Sequence, residues 1–127
     1  MNSIQIAAAS ALLAISAFAH AEDWKILGSG PKGAIAYDAT SVRHDGQYVS
    51  VFMRTTYTSP QAGSGIAHDM SIWPLRINCG DGSIRVMNAY DYLRGNLVFT
   101  ANAYQDLDAG VPGSPMYEVT QAVCPRP

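Results

Sequence analysis

Two cysteines, Cys79 and Cys124, lie downstream of a segment that reads as a secretory leader, and together these features limit what the chain can fold into. Met1-Asn2-Ser3 opens an uncharged, Ala/Leu/Ile-rich stretch from Ile4 to Phe18. It ends in the small-x-small pattern Ala19-His20-Ala21, and Glu22-Asp23 supplies the first charges. The pattern predicts a signal peptide over residues 1–21, because the apolar run is shorter and richer in Ala and Ser than a membrane span of roughly 20 apolar residues. Residues 22–127 are then one exported domain, periplasmic or secreted to the cell surface. Glu22 stands where a lipid-anchored bacterial protein would carry Cys, so no lipid anchor is expected at the cleavage site. In an oxidising compartment an isolated pair of thiols becomes a disulfide; the alternatives, a redox-active pair or a metal thiolate, lack Cys-x-x-Cys and zinc-type Cys/His spacing. A Cys79–Cys124 bond closes a loop of about 46 residues, worth ~4 kcal/mol in the chain-entropy description. Set against a total stability of about 5–10 kcal/mol, that decides whether such a domain stays folded.

Charge excludes one class of partner. Eight Lys and Arg face ten Asp and Glu, so no basic field attracts nucleic acid. No like-charge run suggests a tail, and no second long apolar stretch follows the leader.

The periodicity is mostly that of strands. Asp45-Gly46 is a hairpin signal and is expected to oppose Val42 to Val49 and His44 to Gln47. From Gln47 to Thr58, Val49, Val51, Met53 and Tyr57 point one way, while Tyr48, Ser50, Phe52, Arg54 and Thr56 point the other. Ser59 to Ile66 reads as a Gly/Ser/Pro loop. Trp73, Leu75, Ile77 and Cys79 then share one face, as do Ile84, Val86, Tyr90 and Tyr92. A four-residue loop, Gly80 to Ser83, opposes Cys79 to Ile84, Ile77 to Val86 and Trp73 to Tyr90. Pro74, without an N–H, calls for an edge or a bulge. A short strand at Leu97 to Phe99 follows the Arg94-Gly95-Asn96 turn.

At the C-terminus the period becomes helical. Ser114 is placed to cap, Pro115 to occupy the first turn and Glu118 to face the positive end; Met116, Val119 and Val123 recur at helical spacing before Pro125 stops the helix. The predicted fold is α+β: an antiparallel sheet of about five to six strands, with one C-terminal helix packed on a sheet face and tethered there by the disulfide.

Chemistry is sparsely marked. His44 and His68 each precede Asp, and a hydrolase would pair one of them with Ser64 or Ser71, yet no Gly-x-Ser-x-Gly elbow stands on a strand–turn–helix. A metal site from the two histidines lacks ligand spacing, and no spacing marks a pair of carboxylates for glycoside chemistry. Gly80-Asp81-Gly82 resembles only a fragment of a calcium loop and reads as a turn. The expectation is a non-enzymatic chain with no cofactor and no metal; a small secreted hydrolase or an enzyme inhibitor is the competing reading. Tyr48 and Phe52, opposite Val49 and Val51, leave a strand apolar on both sides, so a bent sheet or a protein partner must cover the second face. Aromatics beside Arg54 are typical interface anchors, and they predict a homodimer through Tyr48, Phe52 and Arg54.

Nearly the whole segment after the leader resembles the surface-adhesin protein E family of Gram-negative bacteria. The resemblance runs through Trp24, Tyr37-Asp38-Ala39-Thr40-Ser41-Val42, Asp45-Gly46 with Val49-Ser50-Val51, Ile77-Asn78-Cys79, Pro112-Gly113-Ser114-Pro115 and Val123-Cys124. It implies an antiparallel sheet whose C-terminal helix is disulfide-tethered to the concave side, a dimer, and a surface role binding host extracellular-matrix and plasma proteins.

Overall fold

The computed structural model describes residues 22–63, 65–108 and 110–125; the expected leader and Ser64 lie outside them. In chain order the elements are β1 (Trp24–Gly30), β2 (Gly33–Asp38), a 3-10 turn (Ala39–Ser41), β3 (Arg43–Asp45), β4 (Tyr48–Gln61), β5 (His68–Asn78), β6 (Ile84–Leu93), β7 (Asn96–Leu107) and the helix α1 (Pro115–Val123). All strands join one antiparallel sheet in the order β1-β2-β4-β5-β6-β7, with β3 also on β4. Strands β2 and β3 share one flank of β4, β2 along Met53–Tyr57 and β3 along Tyr48–Ser50, and the 3-10 turn steps between them. The sheet therefore has seven strands among the described residues, not five to six. The arm the sequence concealed is β1, a mostly exposed run broken by Gly28 and a bulge at Leu27, which shows no alternation to read.

Within β4 the alternation holds: Val49, Val51 and Met53 are buried, and Phe52 between them is exposed. The registers differ from the sequence-based ones by steps of two, which preserve the faces. Asp45 pairs with Tyr48 and His44 with Val49, so the turn is Gly46-Gln47 rather than one centred on Asp45-Gly46. Gly46 alone takes a left-handed φ there (61°), which is what a turn with Gly at its first central position requires. Likewise Ile77 pairs with Ile84 and Leu75 with Val86, and the connection between the strands is Cys79 to Ser83 rather than the expected Gly80 to Ser83. Cys79, one residue past β5, donates its N–H to Gln47 O at 2.7 Å, which continues the β4–β5 register and leaves its side chain against the core beneath the helix. The Asp81 carboxylate accepts from both Ser83 N and Ser83 Oγ, so this segment is a tight turn. Strand β4 also runs on to Gln61, paired with His68, so the expected loop from Ser59 is shorter than its composition suggests.

One difference changes a face. Strand β5 is interior, so Pro74 is not at an edge; a bulge accommodates it, with the pairing to β6 shifting between Ile72 and Leu75. The extra β6 residue inverts the later side chains. Ala89 and Asp91 face the core, while Tyr90 and Tyr92 leave the Ile84/Val86 face on which the sequence placed them.

The C-terminal expectation is met closely. Ser114 Oγ accepts from Tyr117 N, Pro115 opens the helix, Glu118 Oε1 accepts from Gly113 N, and Val119 and Val123 are buried. Gly110 is needed just upstream, since a Cβ there would lie 2.6 Å from both Ser114 Oγ and Tyr117 N. Val119 and Val123 join Val49, Val51, Met53, Leu75, Ile77, Ile84 and Val86 in a single core, with Ile77 wholly inaccessible. Each such side chain contributes about 1.5–3 kcal/mol by burial. Cys79 and Cys124 are bonded, with Cα atoms 5.6 Å apart, and the bond holds α1 to the end of β5. Among the described residues no helix is long and apolar enough to cross a membrane.

Candidate functional site

With α1 on one side of the sheet, the opposite side carries the even-numbered residues of β4: Tyr48, Ser50, Phe52 and Arg54. The three residues singled out from the sequence do share this face, and they are engaged in different ways. The Arg54 guanidinium lies over the Trp24 ring, 4.4 Å from its centroid, and the Trp24 indole N–H donates to Glu22 Oε2 at 2.7 Å. Ala36, directly opposite Arg54 on β2, is buried. The Trp24–Arg54 pair thus serves as cover for the sheet, and Arg54 Nε has no hydrogen-bond partner among the described residues. Tyr48 is capped in the same manner by the Arg76 guanidinium, again 4.4 Å from the ring centroid. Phe52 lies between the two stacked pairs and is open, at 44% exposure.

The β-ladder sets what surrounds Phe52. Opposite it on β5 is Pro74; one step along, Ser50 faces Arg76, Arg76 faces Arg85, and Arg85 faces Asp106. Of the two arginines in that row, Arg85 is the one with an ion pair among the described residues, through Nε to Asp106 Oδ1 at 2.8 Å and Nη2 to Oδ2 at 3.3 Å. That hydrogen bond holds the Asp106 carboxyl below its ordinary value. Two clefts meet at Arg76 and Met87. The smaller, about 210 Å³, is lined by Ser41, Ser50, Phe52, Pro74, Arg76 and Met87 among others. The larger, about 580 Å³, extends past Tyr48 and Asn78 to Asp106 and Asp108.

A support for this face lies one strand away. Asp38 caps the 3-10 turn, accepting from Thr40 N at 3.0 Å and Thr40 Oγ1 at 2.7 Å, and also from Asp23 N at 3.1 Å. Burial raises its carboxyl, but the bonds from the Thr40 side chain and from the Asp23 and Thr40 backbones outweigh that, and the net shift is downward. Ser41 Oγ next donates to Asp38 O and accepts from Phe52 N at 2.9 Å. The turn between β2 and β3 therefore fixes the backbone beneath Phe52.

The hydrolase candidates end up in different places. His44 pairs with Val49 and His68 with Gln61, about twelve residues apart along β4 and roughly 40 Å at the strand rise, so the two cannot share a metal. No group of three or more metal-ligating side chains occurs among the described residues. His68 and Ser71 do come together, with Asp91 as a third buried member that sequence reading missed. Its signal was a charge between Tyr90 and Tyr92, which the β6 bulge turns inward. Ser71 Oγ donates to Asp91 Oδ1 at 2.7 Å; His68 Nδ1 lies 2.9 Å from Ile66 O and 3.8 Å from Asp91 Oδ2. A nucleophilic triad needs the hydroxyl on the imidazole and the carboxylate on its far nitrogen. Here the hydroxyl is bonded to the carboxylate, an arrangement that ties β5 to β6.

Comparisons with known proteins bear on the same fold. A family model described as "Surface-adhesin protein E" matches residues 24–125. No curated protein matches the chain's sequence. Among solved structures the chain is similar to protein E of Haemophilus influenzae, with TM-score 0.55 and 13% identity, covering 80% of this chain and 83% of that one. At that identity the likeness is one of fold.

Proposed function

This chain belongs to the surface-adhesin protein E family, and from that premise we propose that it is an exported, non-enzymatic envelope or surface binding protein whose ligand is another protein. The observation that carries the reading is the helix-free sheet face, where the open Phe52 is flanked by two arginine-stacked aromatics. Aromatic and arginine side chains supply most of the energy at protein interfaces, and a rigid sheet presents them at little entropic cost. The leader over residues 1–21 and the disulfide fit a chain that works outside the cytoplasm, in the periplasm or at the cell surface.

Two measurements test this. Fractionation of the native host, with N-terminal sequencing, is expected to recover protein beginning at Glu22 outside the cytoplasm; an intact leader on cytoplasmic protein would sink the export claim. Immobilised extracellular-matrix and plasma proteins, probed with the chain from Glu22 onward, are expected to retain it in a Phe52-dependent way. Failure to retain it on any of them removes the matrix and plasma reading. The hydrolase alternative is favoured only by the proximity of His68, Ser71 and Asp91, and an activity lost in Ser71→Ala on broad substrate profiling would promote it. The homodimer remains the competing occupant of the same face: sedimentation at micromolar concentration gives two subunits if it forms, and Tyr48→Ser with Phe52→Ser then gives a folded monomer.

A further inference from the structure

Resting on the reading just given, we propose that the helix-free face takes an extended acidic peptide segment of its protein partner. A large apolar side chain of that segment enters the cleft between Phe52, Pro74 and Met87, and a carboxylate two residues along meets Arg76. Arg76 and Arg85 are directly opposed across β5 and β6, an arrangement that repels. The carboxylate that answers it, Asp106, is taken up by Arg85. Arg76 is exposed and ion-paired to no carboxylate among the described residues; its face is stacked on Tyr48, which holds the guanidinium flat and leaves its in-plane N–H edges free. A planar cation held in this way suits two-point recognition of a carboxylate.

The smaller cleft supplies the second anchor. Phe52 N–H is already bonded to Ser41 Oγ, and Pro74 has no N–H, so the backbone at its centre offers no free donor to a polar guest. At about 210 Å³ it holds a side chain rather than a whole ligand, and Arg76 is the one charged group lining it among the described residues. Spacing then selects the peptide's conformation. Pro74 and Arg76 are alternate residues of one strand, about 6.6 Å apart at the strand rise, which is also the spacing of same-side residues in an extended ligand. Asp108, in the larger cleft beyond Arg76, disfavours a carboxylate there and keeps the acidic group at Arg76.

The test uses the disulfide-bonded chain from Glu22, isotopically labelled, and three blocked tetrapeptides followed by amide shifts: acetyl-Phe-Ser-Glu-Ser-amide, the same peptide with Gln for Glu, and the reordered acetyl-Phe-Glu-Ser-Ser-amide. The first is expected to move the amides of Ser50, Phe52, Arg76 and Met87, and to bind about tenfold more tightly than the other two. In Arg76→Gln the preference for Glu over Gln should vanish; in Phe52→Ser all three peptides should weaken together. Equal binding of the Glu and Gln peptides, shifts centred elsewhere, or no shifts would each overturn the inference. So would a dimer burying Phe52. Retention on a matrix protein that Arg76→Gln leaves unchanged would keep the proposed function and discard this partner class.

Discussion

The two faces of the sheet are built from the same strands and are covered in different ways. On the helix side, Val49, Val51 and Met53 of β4 pack with Leu75, Ile77, Ile84 and Val86 under Val119 and Val123, and a covalent bond holds the cover in place. On the other side, residues of β4 enter arginine–aromatic stacks instead of meeting a helix, Arg76 on Tyr48 and Arg54 on Trp24, and Phe52 is left open. Burial on the first face is indifferent to which apolar groups meet, provided the volume is filled. Contacts on the second are directional and few. On the reading proposed above, stability resides on one parity of β4 and recognition on the other, and a one-residue slip of the strand would exchange them.

Substitutions on each face can break or sharpen that division. The largest effect is expected from removing the tether: Cys124→Ser should cost ~4 kcal/mol and lower the melting temperature by more than about 10 °C in a thermal scan. Next is Val119→Ala, which empties part of the core beneath the helix and should cost about 2–3 kcal/mol by chemical denaturation. A smaller effect belongs to the join between the faces. Asp38→Ala removes the cap of the 3-10 turn at a cost of about 1 kcal/mol. Because the Asp38 carboxyl is held below its ordinary value of 3.8, its contribution is complete above that pH and is lost as pH falls through the folded-state value. Wild-type stability measured from pH 5 downward should accordingly fall more steeply than that of Asp38→Asn. Smallest of all, Phe52→Ser should change stability by no more than about 0.5 kcal/mol while weakening partner binding. If it unfolds the protein, Phe52 belongs to the core and the contrast between the faces fails.

The helix was legible because each of its signals is local: cap, first-turn proline, acidic residue and apolar spacing lie within Ser114 to Val123. The parity of β4 was legible for the same reason. Register was less so, because turn length depends on where a hydrogen bond closes: Asn78 N donates to Ser83 O and Cys79 N to Gln47 O, partners that no spacing rule names. The face of Tyr90 and Tyr92 was misread because a proline on one strand forced an extra residue into its neighbour, an effect absent from β6's own sequence. Among the candidate site residues, the parity of Tyr48, Phe52 and Arg54 could be read in advance. Their stacking partners Arg76 and Trp24, and the partnership of Ser71 with Asp91, are long-range and could not.

The strand order has a consequence for assembly. From β4 to β7 each strand lies beside its successor in sequence, so these hairpins can close one after another with short loops and modest entropic cost. Docking of α1 is of another kind, since Cys124 must return to a position 45 residues earlier in the chain. The open meander can form while the thiols are still apart, and it must then wait, with Ile77 and Val49 uncovered, for the last segment of the chain to arrive. A cell making this protein would have to shield that surface, or oxidise the pair quickly, during the interval.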